Sequence, residues 1–169
     1  IEQSKMEDVK TERYDRQLRL WGRAGQACLE RAAVCVLGST PTATETLKNL
    51  VLPGIGSFTI IDDASVTHAD LANNFFVSPD HIGRPRADVT CELLGELNPF
   101  VTARSVVKDP HTCWEEDPEF FREYALVLAT QVPWDKAVRL SEVLHKQGIP
   151  LMCLSVYGMV GKLRVDAGV

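Results

Sequence analysis

The chain has 169 residues, 45% hydrophobic and 24% charged, which is the balance of one soluble globular domain. Its 18 basic and 23 acidic residues give a net charge of −5 without the basic stripe of a duplex-binding domain, so we expect no nucleic-acid partner. No apolar run approaches the roughly 18 residues of a membrane helix, and the charged amino terminus has no signal-peptide core. These features predict a protein of the cytoplasm, the nucleus or both, with no membrane partner.

The cysteines and histidines form no metal-binding pattern. Five scattered cysteines without a C-x-x-C pair argue against both a zinc site and a disulfide framework. Cys35 and Cys153 lie inside apolar runs and are interpreted as small core residues. The four histidines share no ligand spacing and are interpreted as surface residues. They are His68, His81, His111 and His145. We therefore predict that this chain holds no metal ion.

Helical and strand-like segments alternate along the chain. The spacing of Tyr14, Leu18 and Trp21 predicts an amphipathic helix that runs to about Glu30. Short apolar runs predict strands at residues 33–37, 58–61, 101–107, 126–129, 150–154 and 162–165. Apolar residues at helical spacing predict further helices at residues 43–51, 89–97 and 135–147. Residues 1–12 are assigned to an amino-terminal tail and residues 13–169 to a single domain.

This alternation predicts the fold class. Strands separated by helices imply right-handed crossovers and a mainly parallel sheet with helices on both faces. We therefore predict an α/β, Rossmann-like fold. The last predicted strand would lie at an uncovered sheet edge, which is a liability in a complete domain. For that reason we expect the chain to be a fragment of a longer protein.

The turn after the first strand is where a Rossmann fold binds phosphate, and it needs several glycines there. Residues 38–44 read G-S-T-P-T-A-T, so only the first glycine is present. Pro41 removes a backbone N–H donor, and Thr40 adds bulk where the backbone should face phosphate. Asp62 ends the second strand, where an acidic side chain commonly binds a ribose hydroxyl. It is the single cofactor-binding candidate, and the alternative is a solvated carboxylate in a turn.

Four segments keep the order and spacing of a known set of motifs. Residues 13–22 read R-Y-D-R-Q-L-R-L-W-G, and residues 47–56 read L-K-N-L-V-L-P-G-I-G. Residues 73–76 read N-N-F-F, and residues 82–87 read I-G-R-P-R-A. These segments resemble the first helix, the turn before the second strand, and the S-N-L-N-R-Q and I-G-x-x-K-A motifs of the ThiF/MoeB-like family of ubiquitin-activating-type enzymes. The resemblance covers about residues 11–164 and implies a ThiF/MoeB-like adenylation fold.

The catalytic positions of that family are altered in this chain. The second aspartate of its D-x-D motif is Ala64, and the arginine of S-N-L-N-R-Q is Asn73. The lysine of I-G-x-x-K-A is Arg86, and the magnesium-binding aspartate after the fourth strand is Gln131. A neutral amide is a poor ligand for magnesium, which prefers anionic oxygen beside phosphate. The resemblance therefore implies a degenerate site that binds neither ATP nor magnesium, and no catalysis by this chain alone.

This pattern resembles the regulatory, catalytically silent half of a heterodimeric enzyme that activates a ubiquitin-like modifier. Residues 49–62 and 128–131 are most similar to regulatory subunits of the neddylation-activating type. The resemblance implies a homologous catalytic partner that binds ATP and magnesium, so that this chain meets the modifier only indirectly. It also implies that Arg16 of the first helix reaches the ATP phosphates of that partner in trans. Arg19 on the same helix is a lesser candidate.

Other functions stay open at this point. Regulatory subunits of the SUMO-activating type share the first-helix motif but match less well through residues 40–44 and 130–131. A self-sufficient adenylyltransferase would use ATP and magnesium through an altered loop, and an NAD-binding oxidoreductase would need the glycines that are lost. Judged from the sequence without the resemblance, Arg16 is an ordinary basic residue on an exposed helix face.

Overall fold

The structure, a computed structural model, describes residues 2–168, with side chains from Met6 onward. The strands are β1 (Ala33–Leu37), β2 (Ser57–Ile61), β3 (Thr102–Val106), β4 (Leu126–Thr130), β5 (Leu151–Tyr157) and β6 (Val160–Asp166). The helices are α1 (Glu2–Arg13), α2 (Asp15–Arg31), α3 (Pro41–Val51), α4 (His68–Asn73), α5 (Arg86–Gly95), α6 (Cys113–Glu116) and α7 (Trp134–Lys146). Two 3₁₀ turns lie at Pro79–His81 and Pro118–Glu123. Within residues 2–168, no helix combines the length and the apolar character needed to cross a membrane.

The six strands form one sheet in the order β3-β2-β1-β4-β5-β6. Strands β1 to β5 run parallel, and β6 pairs antiparallel with β5. Each predicted strand overlaps an observed one, so the predicted α/β Rossmann-like class is confirmed. Strand β1 pairs with β2 on one side and with β4 on the other. The chain order therefore reverses at β1, and a crevice opens there at the carboxyl ends of the strands, where doubly wound folds bind ligands.

Apolar side chains on the two faces of the sheet form two separate cores. In β1, Val34 and Val36 pack with α3 and α5, whereas Cys35 and Leu37 pack with α6 and α7. Strand β1 is buried because helices cover both faces, as its unbroken apolar sequence predicts. Cys35 is a core residue as predicted, and burial raises the pKa of its thiol well above the ordinary value. Cys153 is only half-buried, at the edge of the second core.

Helix α1 begins within the residues that were assigned to a tail. Periodicity could not predict it because its sequence carries no apolar stripe. The glutamate, lysine and arginine residues of α1 are nevertheless strong helix formers. Lys10 Nζ lies 3.2 Å from a carboxylate oxygen of Glu30 and 5.2 Å from the ring centroid of Phe100. Arg13 donates to the carbonyl of Leu97 at 2.6 Å, so polar and cation–π contacts attach α1 to the domain.

Two of the four histidines lie at the surface as predicted, and two do not. His68 and His145 are exposed, whereas His81 and His111 are half-buried. The ring Nδ1 of His81 accepts the backbone N–H of Ser78 at 3.0 Å and closes a 3₁₀ turn. His81 was therefore wrongly interpreted as a plain surface residue, because a local capping contact of this kind leaves no periodic signal.

Helix α2 is attached near both of its ends. The buried Tyr14, which caps its amino terminus, accepts a hydrogen bond at its hydroxyl from Asn98 Nδ2 at 2.8 Å. Toward the carboxyl end, the buried Gln26 donates to the carbonyl of Pro53 at 3.0 Å. Gly22 interrupts the helix with φ +68° and produces a kink. The predicted single helix is thus present, in two segments with separate attachments.

Gly56 lies where the turn before β2 passes closest to α2. A Cβ at this position would overlap the backbone carbonyl oxygen of Glu30. We expect Gly56→Ala to lower the free energy of unfolding by about 1–3 kcal/mol, the usual cost of overpacking. Gly95→Ala is the matched control, because its Cβ would meet only Ala103 Cβ at 3.6 Å. Urea denaturation of both variants tests this, and equal stabilities would contradict the assigned overlap.

Candidate functional site

Polar side chains from several elements meet in the crevice beside β1. Five of them are buried, and the sixth, Arg86, is half-buried with its side chain 20% exposed. Three follow or end strands, and the others come from α4 and α5. The residues are Ser39, Asp62, Asp70, Arg86, Thr90 and Thr130. Their contacts determine what this crevice can bind.

Asp62 is 1% exposed, and donors of the protein itself occupy both of its carboxylate oxygens. Oδ1 accepts the backbone N–H of Ala64 at 2.9 Å. Oδ2 accepts the backbone N–H of Ser39 at 2.7 Å and Nε–H of Arg86 at 2.9 Å. With both oxygens bound and the side chain almost fully buried, Asp62 presents little surface to a ribose hydroxyl. The carboxylate proposed for ribose binding is therefore in the expected place but is already paired.

Arg86 bridges Asp62 to a second buried carboxylate. Its Nη1 lies 3.1 Å from Asp70 Oδ1, and Asp70 Oδ2 accepts the backbone N–H of Thr67 at 2.8 Å and its hydroxyl at 2.7 Å. Burial alone would raise the pKa of Asp70, but the hydrogen bonds from Thr67 and Arg86 hold that pKa below its ordinary value. One cation and two carboxylates leave the cluster with a net charge of −1, which disfavours a phosphate nearby.

The loop after β1 has few backbone donors left for a phosphate. The N–H of Ser39 is bound to Asp62, and Pro41 has none. The N–H of Ala43 is capped by Thr40 Oγ1 at 3.2 Å. The Thr40 hydroxyl also contacts the Thr130 hydroxyl at 2.9 Å, which ties the loop to the end of β4. The loop is thus fastened by its own threonines rather than arranged as a phosphate cradle.

Two further altered positions are those of the family's magnesium-binding aspartate, here Gln131, and of its S-N-L-N-R-Q arginine, here Asn73. Neither side chain makes a hydrogen bond with Asp62, Asp70 or Arg86. Gln131 follows β4 with φ +57°, the sole non-glycine residue with positive φ in the described range. Its side-chain amide donates to the carbonyl of Val156 at 2.9 Å and so points along β5. Asn73 is exposed at the end of α4. Across residues 2–168, no group of three or more histidine, cysteine or acidic side chains is placed to hold a metal ion.

Arg16 and Arg19 are both exposed on the first segment of α2. Arg19 pairs with Asp15 at 2.9 Å, one helical turn away. Arg16 makes no hydrogen bond or ion pair with the described side chains, so its guanidinium is free to meet another molecule. Neither arginine belongs to the Asp62–Arg86 cluster. The role of Arg16 in trans stays a prediction.

Sequence reasoning missed the partners of Arg86. A local signal for Asp70 exists, since Thr67-x-x-Asp70 is a capping box that starts α4. That signal explains the bonds between Thr67 and Asp70 but not the contact with Arg86, which lies 16 residues further along the chain.

Sequence reasoning also missed Asn74, which is buried. Its Oδ1 accepts the backbone N–H of Phe76 at 3.1 Å, and its Nδ2 has no partner in the described part of the chain.

Comparison with known proteins agrees with this geometry. The model of the ThiF family matches residues 14–167. The chain belongs to the ThiF family. A solved structure of PaaA superposes on 95% of the chain and 55% of its own length with a TM-score of 0.84, and at 16% identity it supports the fold alone. The ThiF-family fold expected from the motifs is therefore confirmed.

Two regulatory subunits are among the relatives of this ThiF-family chain. It is 51% identical to the NEDD8-activating enzyme E1 regulatory subunit of Gallus gallus, over 93% of the chain and 29% of that protein. It is 41% identical to the NEDD8-activating enzyme E1 regulatory subunit AXR1 of Arabidopsis thaliana, over 98% of the chain and 30% of that protein. The chain thus spans just under a third of the length of these curated relatives.

The lowered pKa of Asp70 makes a testable contribution to stability. Its charged form is stabilised in the folded state, so the contribution is complete above the ordinary aspartate pKa of about 3.9 and is lost as the pH falls toward the lower folded pKa. We expect Asp70→Asn to reduce the free energy of unfolding by about 2 kcal/mol at pH 7. This difference should shrink between about pH 4 and pH 2.

Urea denaturation at a series of pH values measures the effect, with the exposed Asp63→Asn as the matched control. A difference between wild type and Asp70→Asn that stays constant down to pH 2 would show that the carboxylate charge is not what stabilises the cluster. An equal loss of stability in Asp63→Asn and Asp70→Asn would also show that the charge of Asp70 has no special role in stabilising the cluster.

Proposed function

We propose that this ThiF-family chain is part of a regulatory, catalytically silent subunit of a heterodimeric enzyme that activates a ubiquitin-like modifier in the neddylation pathway. Two relatives named as NEDD8-activating enzyme E1 regulatory subunits, 51% and 41% identical, support the pathway. In this proposal a homologous catalytic subunit binds ATP and magnesium, and this chain contacts the modifier only indirectly. The complex works in the cytoplasm, the nucleus or both.

The observation that carries the proposal is the pairing of Asp62 with Arg86. A working nucleotide site needs free acceptors for ribose, free backbone donors for phosphate and an anionic ligand for magnesium. Here the carboxylate of Asp62 accepts hydrogen bonds from Arg86, Ser39 and Ala64. The cluster of Asp62, Asp70 and Arg86 also has a net negative charge. The contacts support a crevice held closed by the protein itself, and none of them favours a self-sufficient adenylyltransferase or an oxidoreductase.

The exposed surface of α2 supports pairing with another subunit. Its first segment presents Arg16 beside Leu20, which is 80% exposed, and Trp21 follows at 44%. Aromatic and arginine side chains are typical anchors of protein interfaces. A guanidinium also suits a phosphate across such an interface, because it stays charged and offers two parallel donors. We therefore assign Arg16 to the ATP phosphates of the catalytic partner.

The closed crevice predicts that the subunit does not bind ATP on its own. We expect isothermal titration of the full-length protein with ATP and magnesium to give no saturable heat at micromolar concentrations. The reason is that Arg86 would have to leave two buried carboxylates, and a buried charge without its partner is strongly destabilising. A dissociation constant of low micromolar order, about −8 kcal/mol, would contradict the proposal.

Arg16→Ala tests the role in trans. The substitution should leave the fold and the complex intact, since an exposed replacement typically changes stability by less than about 0.5 kcal/mol. We expect it to slow adenylation of the modifier by the partner about 100-fold, by analogy with the loss of one preorganised donor to a developing charge. Arg16→Lys should restore only part of the rate, because an ammonium lacks the bidentate fork.

The measurement is single-turnover adenylate formation by the reconstituted full-length complex. Arg19→Ala is the matched control, since Arg19 lies on the same segment but pairs with Asp15. A wild-type rate in Arg16→Ala would contradict the role in trans and show that Arg16 is an ordinary solvated charge on the helix. An equal loss in both variants would indicate that the helix contributes through docking rather than through this guanidinium.

A further inference from the structure

A second pocket lies between the start of α7 and the β5–β6 hairpin. Its volume is about 250 Å³, and its lining includes Gln131, Trp134, Cys153, Tyr157, Lys162 and Arg164. It shares no residue with the Asp62–Arg86 cluster. Among the lining residues named here, only Gln131, at the position of the family's magnesium-binding aspartate, bears on the proposed function. The lining residues combine exposed aromatic rings with two cations.

The strand register places both cations on the same face of the hairpin. Lys162 and Arg164 are two residues apart on β6, where alternate side chains share a face. Lys162 Nζ lies 4.0 Å from the ring centroid of Trp134, and Arg164 Cζ lies 4.9 Å from it. One tryptophan thus brings two like charges together, an arrangement that an anion between them would stabilise.

The carboxylates nearby do not balance these cations. Asp166 pairs with Arg164 through both oxygens, with Oδ1 3.0 Å from Nε and Oδ2 2.9 Å from Nη2, so Nη1 is the nitrogen of Arg164 that remains for a ligand. Lys162 has no ion-pair partner among the side chains that the structure describes. Two cations and one carboxylate leave the pocket with a net charge of +1, although the chain as a whole carries −5. This local excess of positive charge favours an acidic ligand.

The chemistry of the lining is that of a binding site rather than a reactive one. Burial raises the pKa of the Cys153 thiol above its ordinary value, so it stays protonated at neutral pH and is a poor nucleophile. Ser155 also lines the pocket and carries a hydroxyl donor. Tyr157 and Trp134 are 68% and 58% exposed at the rim, which is unusual for rings of this size.

We propose that this pocket docks an acidic peptide segment of a protein partner. A carboxylate of that segment is bound by Lys162 and Arg164, and the carbon chain beside it packs on Trp134 and Tyr157. A protein partner fits better than a small molecule, because 250 Å³ is below the roughly 300–1,000 Å³ of typical small-molecule sites. Tryptophan, tyrosine and arginine side chains are also the usual anchors of protein interfaces. The proposal does not depend on the proposed function.

The experiment monitors the NMR signal of Trp134 in the full-length protein. The protein is labelled with 5-fluorotryptophan, and the Trp134 resonance in the ¹⁹F NMR spectrum is assigned with Trp134→Phe. The probe is an acetylated tetraglutamate peptide, and an acetylated tetraglutamine peptide of the same length is the uncharged comparison. At constant ionic strength we expect a saturable shift of the Trp134 resonance with tetraglutamate and none with tetraglutamine.

Variants separate this pocket from general charge attraction. Lys162→Gln should weaken binding of tetraglutamate at least tenfold, whereas Lys146→Gln, an exposed lysine at the far end of α7, should leave it unchanged. The proposal is overturned by the absence of a saturable shift or by equal affinities in wild type and Lys162→Gln. It is also overturned if inorganic phosphate at the same concentration produces the same shift, since the pocket would then bind any anion.

Discussion

A single guanidinium, that of Arg86, holds together the part of the domain where the chain order of the sheet reverses. Through Asp62 it is linked to the end of β2 and the loop after β1, and through Asp70 it is linked to α4. Arg86 itself begins α5, so four segments converge on one side chain. Because buried charges are stable only when they are paired, these contacts form or break together. The geometry of the crevice therefore depends on this cluster more than on any single loop.

The polar groups in the crevice beside β1 are satisfied by partners from the protein itself. The switch point places strand ends, and hence polar side chains and backbone donors, inside the protein. Here hydroxyl pairs contribute to this: Ser39 bonds to Thr90 at 2.7 Å, and Thr40 to Thr130 at 2.9 Å. Short polar side chains thus bind one another at this switch point. The loop after β1 therefore differs from a glycine-rich phosphate loop in the hydrogen-bond partners of its groups as well as in its glycines.

The sequence predicted the sheet well because buried parallel strands leave a strong signal. The run Ala33–Leu37 is apolar throughout, and its predicted limits match the observed strand. Helix α1 was missed because it has no apolar stripe, and α4 and α6 because six and four residues are too few for periodicity. Within the site, the place of Asp62 could be predicted because it directly follows a predicted strand. Its pairing with Arg86 joins residues 24 positions apart and is visible only in three dimensions.

The kink in α2 affects the direction in which the side chain of Arg16 points from the domain. In an unbroken helix, residues seven apart share a face, so Arg16 would be in phase with Arg23. Gly22 adopts φ +68° and ψ 178°, which is not helical. The helical periodicity is therefore interrupted between Arg16 and Arg23. The two segments of α2 therefore differ in rotational phase, and Trp21 Nε1 donates to Gln26 Oε1 at 3.1 Å across the kink. The face on which Arg16 lies is therefore fixed within the first segment, where the buried Tyr14 stands two residues before it.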